Sequence, residues 1–418
     1  MSSTQSVPEP GAAEATDVAP SRLRRSSKIR EWYAKATVAL GNGLLLFLLL
    51  NLILYAIIVA KRSAKPMTPM DLYGSNKILK AYPGWREEDV RTLITETWRK
   101  LDLEYEPFTG YREKSMQGKF VNVDPAGFRL SKDQAPWPPR PKMTNVFVFG
   151  GSTAFGYGLP DDQTIPSFLQ ECGAEDSSHS GPAVYNFGRA TYFSSQELIL
   201  FEQLLKSGFV PQVAVFIDGI NDFDRADGQP RFAAAVRRSM AGQVGSPLDN
   251  VPVVTAAHWL SDRWTKPQPR NATDYSDGAV LESVIDRWLA NKKMIELIAD
   301  RFGVRTIFVW QPVPTYKYDL RYHFLLHSDR GFGFYVRHEY GYALMENLRA
   351  QGKLGPNMLW LADMQQDKHE NLYVDAVHYN ASFAKEIAAQ ICGFLREHPE
   401  DRRRIAPTRP PAARDRRQ

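Results

Sequence analysis

Five polar segments of this 418-residue chain follow apolar, β-branched or aromatic runs, four at the run's end and the fifth further on, before the last helix. Val146 to Phe149 ends in Gly150-Gly151-Ser152, and the run from Val184 ends in Asn186-Phe187-Gly188. Val213 to Ile217 leads into Asp218-Gly219-Ile220-Asn221-Asp222, and Thr306 to Trp310 into Gln311-Pro312. Beyond Met358 to Leu361 lies Asp375-Ala376-Val377-His378. Taken singly, these are a turn glycine, a helix cap or a polar residue at a helix start. Together they hold the parts of nucleophilic acyl chemistry. A serine hydroxyl needs an imidazole to take its proton, the imidazole needs an acid to fix its tautomer, and the oxyanion needs donors aimed at it. Ser152, His378 and Asp375 fill the first three roles. The backbone N–H groups of Ser152 and Gly188 and the side-chain amide of Asn221 suit the fourth.

The elements between these segments place them on one edge. Strand-like runs alternate with helix-like stretches near Ile165–Glu171, Ser195–Lys206, Leu281–Arg301, Phe334–Ala350 and Ser382–Glu397. Repeated βα units predict a parallel sheet of about five strands covered by helices on both faces, a three-layer α/β/α domain. In such sheets ligands sit beyond the carboxyl ends of the strands, where the five segments fall. Gly228 to Gly278 breaks the rhythm and is read as an insertion. Nine aromatic residues between Tyr316 and Tyr342, among them Tyr318, Tyr322, Phe332, Phe334 and Tyr335, are assigned to core packing, with a wall of the substrate crevice as the alternative.

The ends of the chain differ from its body. Ala36 to Ala60 has no charged residue and exceeds the ~20 residues a helix needs to cross a bilayer. Residues 1–35 read as a disordered cytoplasmic tail and 36–60 as one transmembrane helix. Residues 61–142 read as a juxtamembrane region with a helix near Glu87–Leu101 and a Pro-rich linker, 143–398 as the α/β domain, and 399–418 as a disordered basic tail. Six basic residues precede the span (Arg22, Arg24, Arg25, Lys28, Arg30, Lys35) and three follow it (Lys61, Arg62, Lys65). That bias predicts a cytoplasmic N-terminus and an extracytoplasmic body, periplasmic if the source is bacterial. The net charge of +5 comes from the tails: Asp401 to Gln418 carries +5 and residues 1–35 carry +2, leaving the body at −2. A basic nucleic-acid-binding body is excluded on that distribution.

The order Gly150-Gly151-Ser152, Gly188, Gly219-Ile220-Asn221-Asp222 and Asp375-Ala376-Val377-His378 resembles the SGNH (GDSL-type) hydrolase family, membrane-anchored bacterial type. The family's four name-giving residues correspond to Ser152, Gly188, Asn221 and His378, and the likeness spans about Asn145 to Phe394. It implies a flavodoxin-like domain and a serine esterase needing no metal or organic cofactor. The family's Gly-Asp-Ser is Gly-Gly-Ser here, a change outside the triad. Upstream, Asn122 to Arg129 resembles a lead-in of membrane-bound members that act on envelope glycans. The substrate class implied is therefore an O-acylated, most plausibly acetylated, polysaccharide. An O-acyltransferase using the same site and a non-catalytic glycan-binding or assembly subunit are the alternatives.

Other motifs fit less well. Position 154 is Ala, so no Gly-x-Ser-x-Gly elbow surrounds Ser152, and Gly150 to Gly158 lacks the Gly-Lys-Ser/Thr ending of a P-loop. Asp363, His369, Asp375 and His378 do not have an established zinc spacing. The two cysteines, Cys172 and Cys392, fall in the first and last helices of the domain. Two buried free thiols are the favoured reading, and a bridge requires their Cα atoms within ~7 Å.

Overall fold

The computed structural model describes residues 21–62, 67–175, 181–238, 240, 251–264, 277–324 and 338–398. The chain separates into two compact units, Met1–Ala64 with Gly245–Gln268, and Lys65–Val244 with Pro269–Gln418. Most of the N-terminal tail and all of 399–418 lie outside the described residues, as do Phe332, Phe334 and Tyr335.

The first unit is built on α1, Ser21–Arg62, the one described helix long and apolar enough to cross a membrane. It starts inside the stretch read as a disordered tail. A helix at Pro252–Trp264 packs on it, so part of the expected insertion groups with α1. Asn51, within the apolar run, has both ends of its amide satisfied. Its Nδ2 donates to Phe47 O at 2.8 Å, and its Oδ1 accepts the Val253 N–H at 3.0 Å.

In the second unit five parallel strands form one sheet: β1 (Asn145–Gly150), β2 (Ala183–Asn186), β3 (Val213–Asp218), β4 (Arg305–Trp310) and β5 (Met358–Trp360). Their order is β2-β1-β3-β4-β5, the flavodoxin-like arrangement with a switch point between β1 and β3. All five expected runs are strands. Because side chains alternate across a strand, each run feeds two cores. Phe147, Phe149, Phe216, Phe308 and Trp310 point to one face, and Val146, Val148, Val215, Ile217, Ile307 and Val309 to the other. The aromatic face carries a row of rings, Phe149 over Phe216 at 4.8 Å and Phe216 over Phe308 at 5.2 Å.

The helices complete the three layers. In chain order they are α2 (Glu87–Thr95), α3 (Ser152–Phe155), α4 (Ile165–Glu175), α5 (Ser194–Lys206), α6 (Ile220–Asp224), α7 (Gly278–Phe302), α8 (His338–Ala350) and α9 (Ala381–Glu397). The β-branched face is covered by α4 and α9, the aromatic face by α5 and α7. The stripe Phe383, Ala384, Ile387, Ala388, Ile391, Cys392 has the helical period that buries one side of α9. Asn380 caps that helix by accepting the Phe383 N–H at 2.9 Å.

Residues 67–142, including the Pro-rich end read as a linker, pack on the sheet. Val90, Leu93 and Ile94 of α2 are buried in the same core as α4 and α9, and two short antiparallel pairs follow, Leu103–Glu106 with Gly110–Glu113 and Met116–Gln117 with Asn122–Val123. Trp137 of the Pro-rich stretch packs against Phe128, Tyr185 and Phe209. Proline content signalled a linker, but the apolar periodicity of α2 and the Trp137 ring anchor this region to the sheet.

The cysteines also correct the favoured reading. Cys172 of α4 and Cys392 of α9 form a disulfide with Cα atoms 6.5 Å apart, across 220 residues of sequence. The two helices meet side by side on one face, which brings together positions distant in sequence. Replacing both by Ser should destabilise the unit by about 2–4 kcal/mol, roughly 5–10 °C in Tm, because a long loop is no longer closed in the unfolded chain. Differential scanning calorimetry of the variant beside the wild type checks this.

Candidate active site

Ser152 starts α3 directly after β1, so its N–H is one of the unbonded donors of a first helical turn. Its Oγ lies 2.8 Å from His378 Nε2, and His378 Nδ1 lies 2.7 Å from Asp375 Oδ2. The acid is itself held. Asp375 Oδ1 accepts the N–H groups of Val377 at 2.9 Å and His378 at 2.8 Å, a turn that the Asp-x-x-His spacing permits. Burial, the largest influence on this carboxyl, pushes its pKa up. The His378 charge and hydrogen bond, with the two N–H groups, outweigh it and hold Asp375 below the usual carboxylate value. The structure thus brings the three residues the spacing singled out into one hydrogen-bonded chain, Asp375–His378–Ser152.

The shell around them comes from segments less legible in the sequence. Tyr157 stacks on the His378 ring at 5.2 Å, and Trp98, from the turn after α2, meets that ring edge-on at 6.2 Å. The mouth is completed by Thr191, Ile220, Asp224 and Arg231 around a cavity of about 240 Å³. The aromatic wall is therefore Trp98 and Tyr157. Tyr316, Tyr318 and Tyr342 of the aromatic-rich segment are buried in the cores, the outcome favoured from sequence, whereas Tyr322 and Tyr340 of that segment are exposed.

Arg129, at the end of the Asn122–Arg129 lead-in, holds the chain that follows Ser152. Its buried guanidinium donates to the carbonyls of Phe155 (3.0 Å), Gly156 (2.7 Å) and Leu159 (2.6 Å) and pairs with Asp161 at 3.0 Å. Gln311, after β4, accepts a hydrogen bond from Thr153 Oγ1 at 2.6 Å and fixes the residue next to Ser152. Both are positioning groups rather than reacting ones.

The expected oxyanion donors divide. Asn221 lines the cavity with Ser152 and His378, and one Nδ2 hydrogen is directed to Tyr192 O at 2.7 Å, which leaves the second for a ligand. Its amide fills the space a Cβ on Gly151 would take, so glycine at 151 and Asn221 fit each other. Gly188 differs from expectation. Its N–H donates to Asn186 Oδ1 at 3.0 Å, because the side chain at the end of β2 folds back over it. A Cβ there would run into the backbone of Ala154 and Phe155, so this glycine allows close packing of the β2 loop against α3.

No family model matches the chain, and no curated protein matches its sequence. Solved structures similar to it include a protein of the lipolytic G-D-S-L family from Desulfitobacterium hafniense (14% identity, 60% of this chain and 99% of that one, TM-score 0.33). Others are the acetyl xylan esterase AlAXEase (13%, 60% and 98%, TM-score 0.34) and the catalytic domain of the Streptococcus pneumoniae peptidoglycan O-acetyltransferase A (12%, 61% and 94%, TM-score 0.31). The sheet order and the hydrogen-bonded Ser152–His378–Asp375 chain are those that the sequence resemblance to SGNH-type hydrolases implies.

Proposed function

We propose that this chain is a membrane-anchored esterase that removes O-acyl groups, acetyl foremost, from a cell-envelope or exported polysaccharide. The observation that carries the reading is the hydrogen-bonded relay from Asp375 through His378 to Ser152 at the floor of a cavity of about 240 Å³. That volume is below the usual range for drug-sized ligands and suits a short acyl group better than a fatty chain. Ser152 Oγ attacks the ester carbonyl and its proton passes to His378 Nε2. The oxyanion is met by the Ser152 N–H and the free Asn221 Nδ2 hydrogen. The sugar oxygen leaves with the proton from His378, and water, activated by the same imidazole, releases the acid from the acyl-serine. The anchor is α1, and the body lies on the extracytoplasmic side. The six-to-three excess of basic residues before the span supports that orientation, and the Cys172–Cys392 bridge fits an oxidising compartment.

The test is product analysis with acetylated polysaccharide and purified full-length protein in detergent. Release of free acetate, unchanged when an unacetylated sugar acceptor is added, is the expected result. Acetate appearing on the acceptor instead would replace hydrolysis by acyl transfer. A reporter fused after Arg396 that is active only in the cytoplasm would contradict the orientation.

A further inference from the structure

Behind Asn221, near the start of α6, lie three carboxylic side chains that the reaction does not use. Glu197 comes from α5, Asp218 from the end of β3 and Asp222 from α6, and they are 1%, 4% and 1% exposed. Their hydrogen bonds do not suffice for three anions. Asp218 Oδ2 accepts the Trp288 Nε1–H at 2.9 Å, and Asp222 Oδ1 accepts the Ser194 hydroxyl at 2.6 Å. Both Glu197 oxygens, Asp218 Oδ1 and Asp222 Oδ2 have no partner when all three groups are written as carboxylates.

The surroundings supply little positive charge. The cation facing the group is Arg287 of α7, whose Nη2 and Nη1 donate to the backbone carbonyls of Asp222 (2.9 Å) and Ala226 (3.1 Å). Tyr342 of α8 faces the group from another side and donates its hydroxyl to Gln311 O at 3.0 Å. Asn291 of α7 donates to Ser194 Oγ at 2.9 Å. Arg287 offsets one negative charge at most, and three anions in so dry a space repel one another, so protons must be retained. A protonated Glu197 can donate to Asp218, with which it lies in hydrogen-bonding contact, and this gives one oxygen of each a partner.

Asp218 and Asp222 bracket Gly219-Ile220-Asn221, so whatever fixes the two acids fixes the amide between them. We propose that Glu197, Asp218 and Asp222 form a proton-sharing cluster that positions Asn221, and that turnover requires the cluster to keep its protons. This rests on the reading of Asn221 as an oxyanion donor. Burial, and then the Asp222 charge, push Asp218 up to about 8, and burial likewise raises Glu197 and Asp222. These acids bind protons more tightly folded than unfolded. Their contribution to stability is therefore complete below the ordinary carboxylate range and is lost as pH rises through about 8.

The test is the pH profile of kcat and KM for a chromogenic acetyl ester, with full-length wild type, Glu197→Gln and Asp218→Asn. Wild-type kcat should fall about tenfold per pH unit above about 8 with KM nearly unchanged. Glu197→Gln, an isostere of the protonated acid, should keep neutral-pH kcat within about threefold and move that fall upward by about one pH unit. Asp218→Asn makes the same test from the other member if the first variant does not fold. Infrared difference spectra give a readout independent of turnover: a protonated-carboxyl band in wild type at neutral pH, lost with alkali and reduced in Glu197→Gln. A wild-type kcat flat to high alkali, or a variant whose profile matches the wild type, overturns the proposal. Turnover without the band removes the cluster alone. The band without any turnover removes the hydrolase reading, and the positioning role with it.

Discussion

Ser152→Ala and His378→Ala should each lower esterase kcat by at least about 10⁴-fold, and the double variant should be little worse than either alone. The two side chains share one hydrogen bond of 2.8 Å and one proton, so removing either removes the same step. Asp375→Asn should cost a comparable or smaller factor. The amide can still accept from the N–H groups of Val377 and His378, but it no longer stabilises the imidazolium. Steady-state kinetics on an acetyl ester, with circular dichroism to confirm folding, gives the comparison. Full turnover by Ser152→Ala would show that the chemistry lies elsewhere.

The next largest effect is expected at Asn221. Its Nδ2 is anchored by Tyr192 O, which leaves one hydrogen for the proposed oxyanion contact, so Asn221→Ala should reduce kcat by about 10²–10³-fold with little change in KM. Gly151→Ala should lose activity in the same sense, since the added methyl occupies the place of the Asn221 amide. A variant of Asn221 that changes KM alone would move this residue from transition-state stabilisation to substrate binding.

The parts of the fold that were legible in sequence are those written in local patterns. Strands such as Val146–Phe149 and Val213–Ile217 are short, dense in β-branched and aromatic residues, and ended by glycine or a polar residue. Asp375 and His378 were legible as a pair because a three-residue spacing lets one side chain bond the other. What was missed depends on contacts between distant segments. Trp98 and Tyr157 carry no motif, and they become a wall of the site when α2 packs beside α3 and α9. No local pattern marks the Gly188 N–H as occupied, because the Asn186 side chain that accepts from it must fold back over the turn to do so. The disulfide and the Glu197–Asp218–Asp222 cluster join residues whose separation in sequence conceals their adjacency.

Reaction of the full-length protein with a fluorophosphonate, followed by peptide mass mapping, tests the central claim most directly. An unactivated serine is inert to the reagent, whereas a serine polarised by His378 attacks it. A single adduct on Ser152, abolished in His378→Ala, is the result predicted by the relay seen here. Absence of an adduct on folded protein, or an adduct on another residue with Ser152 unmodified, would contradict it.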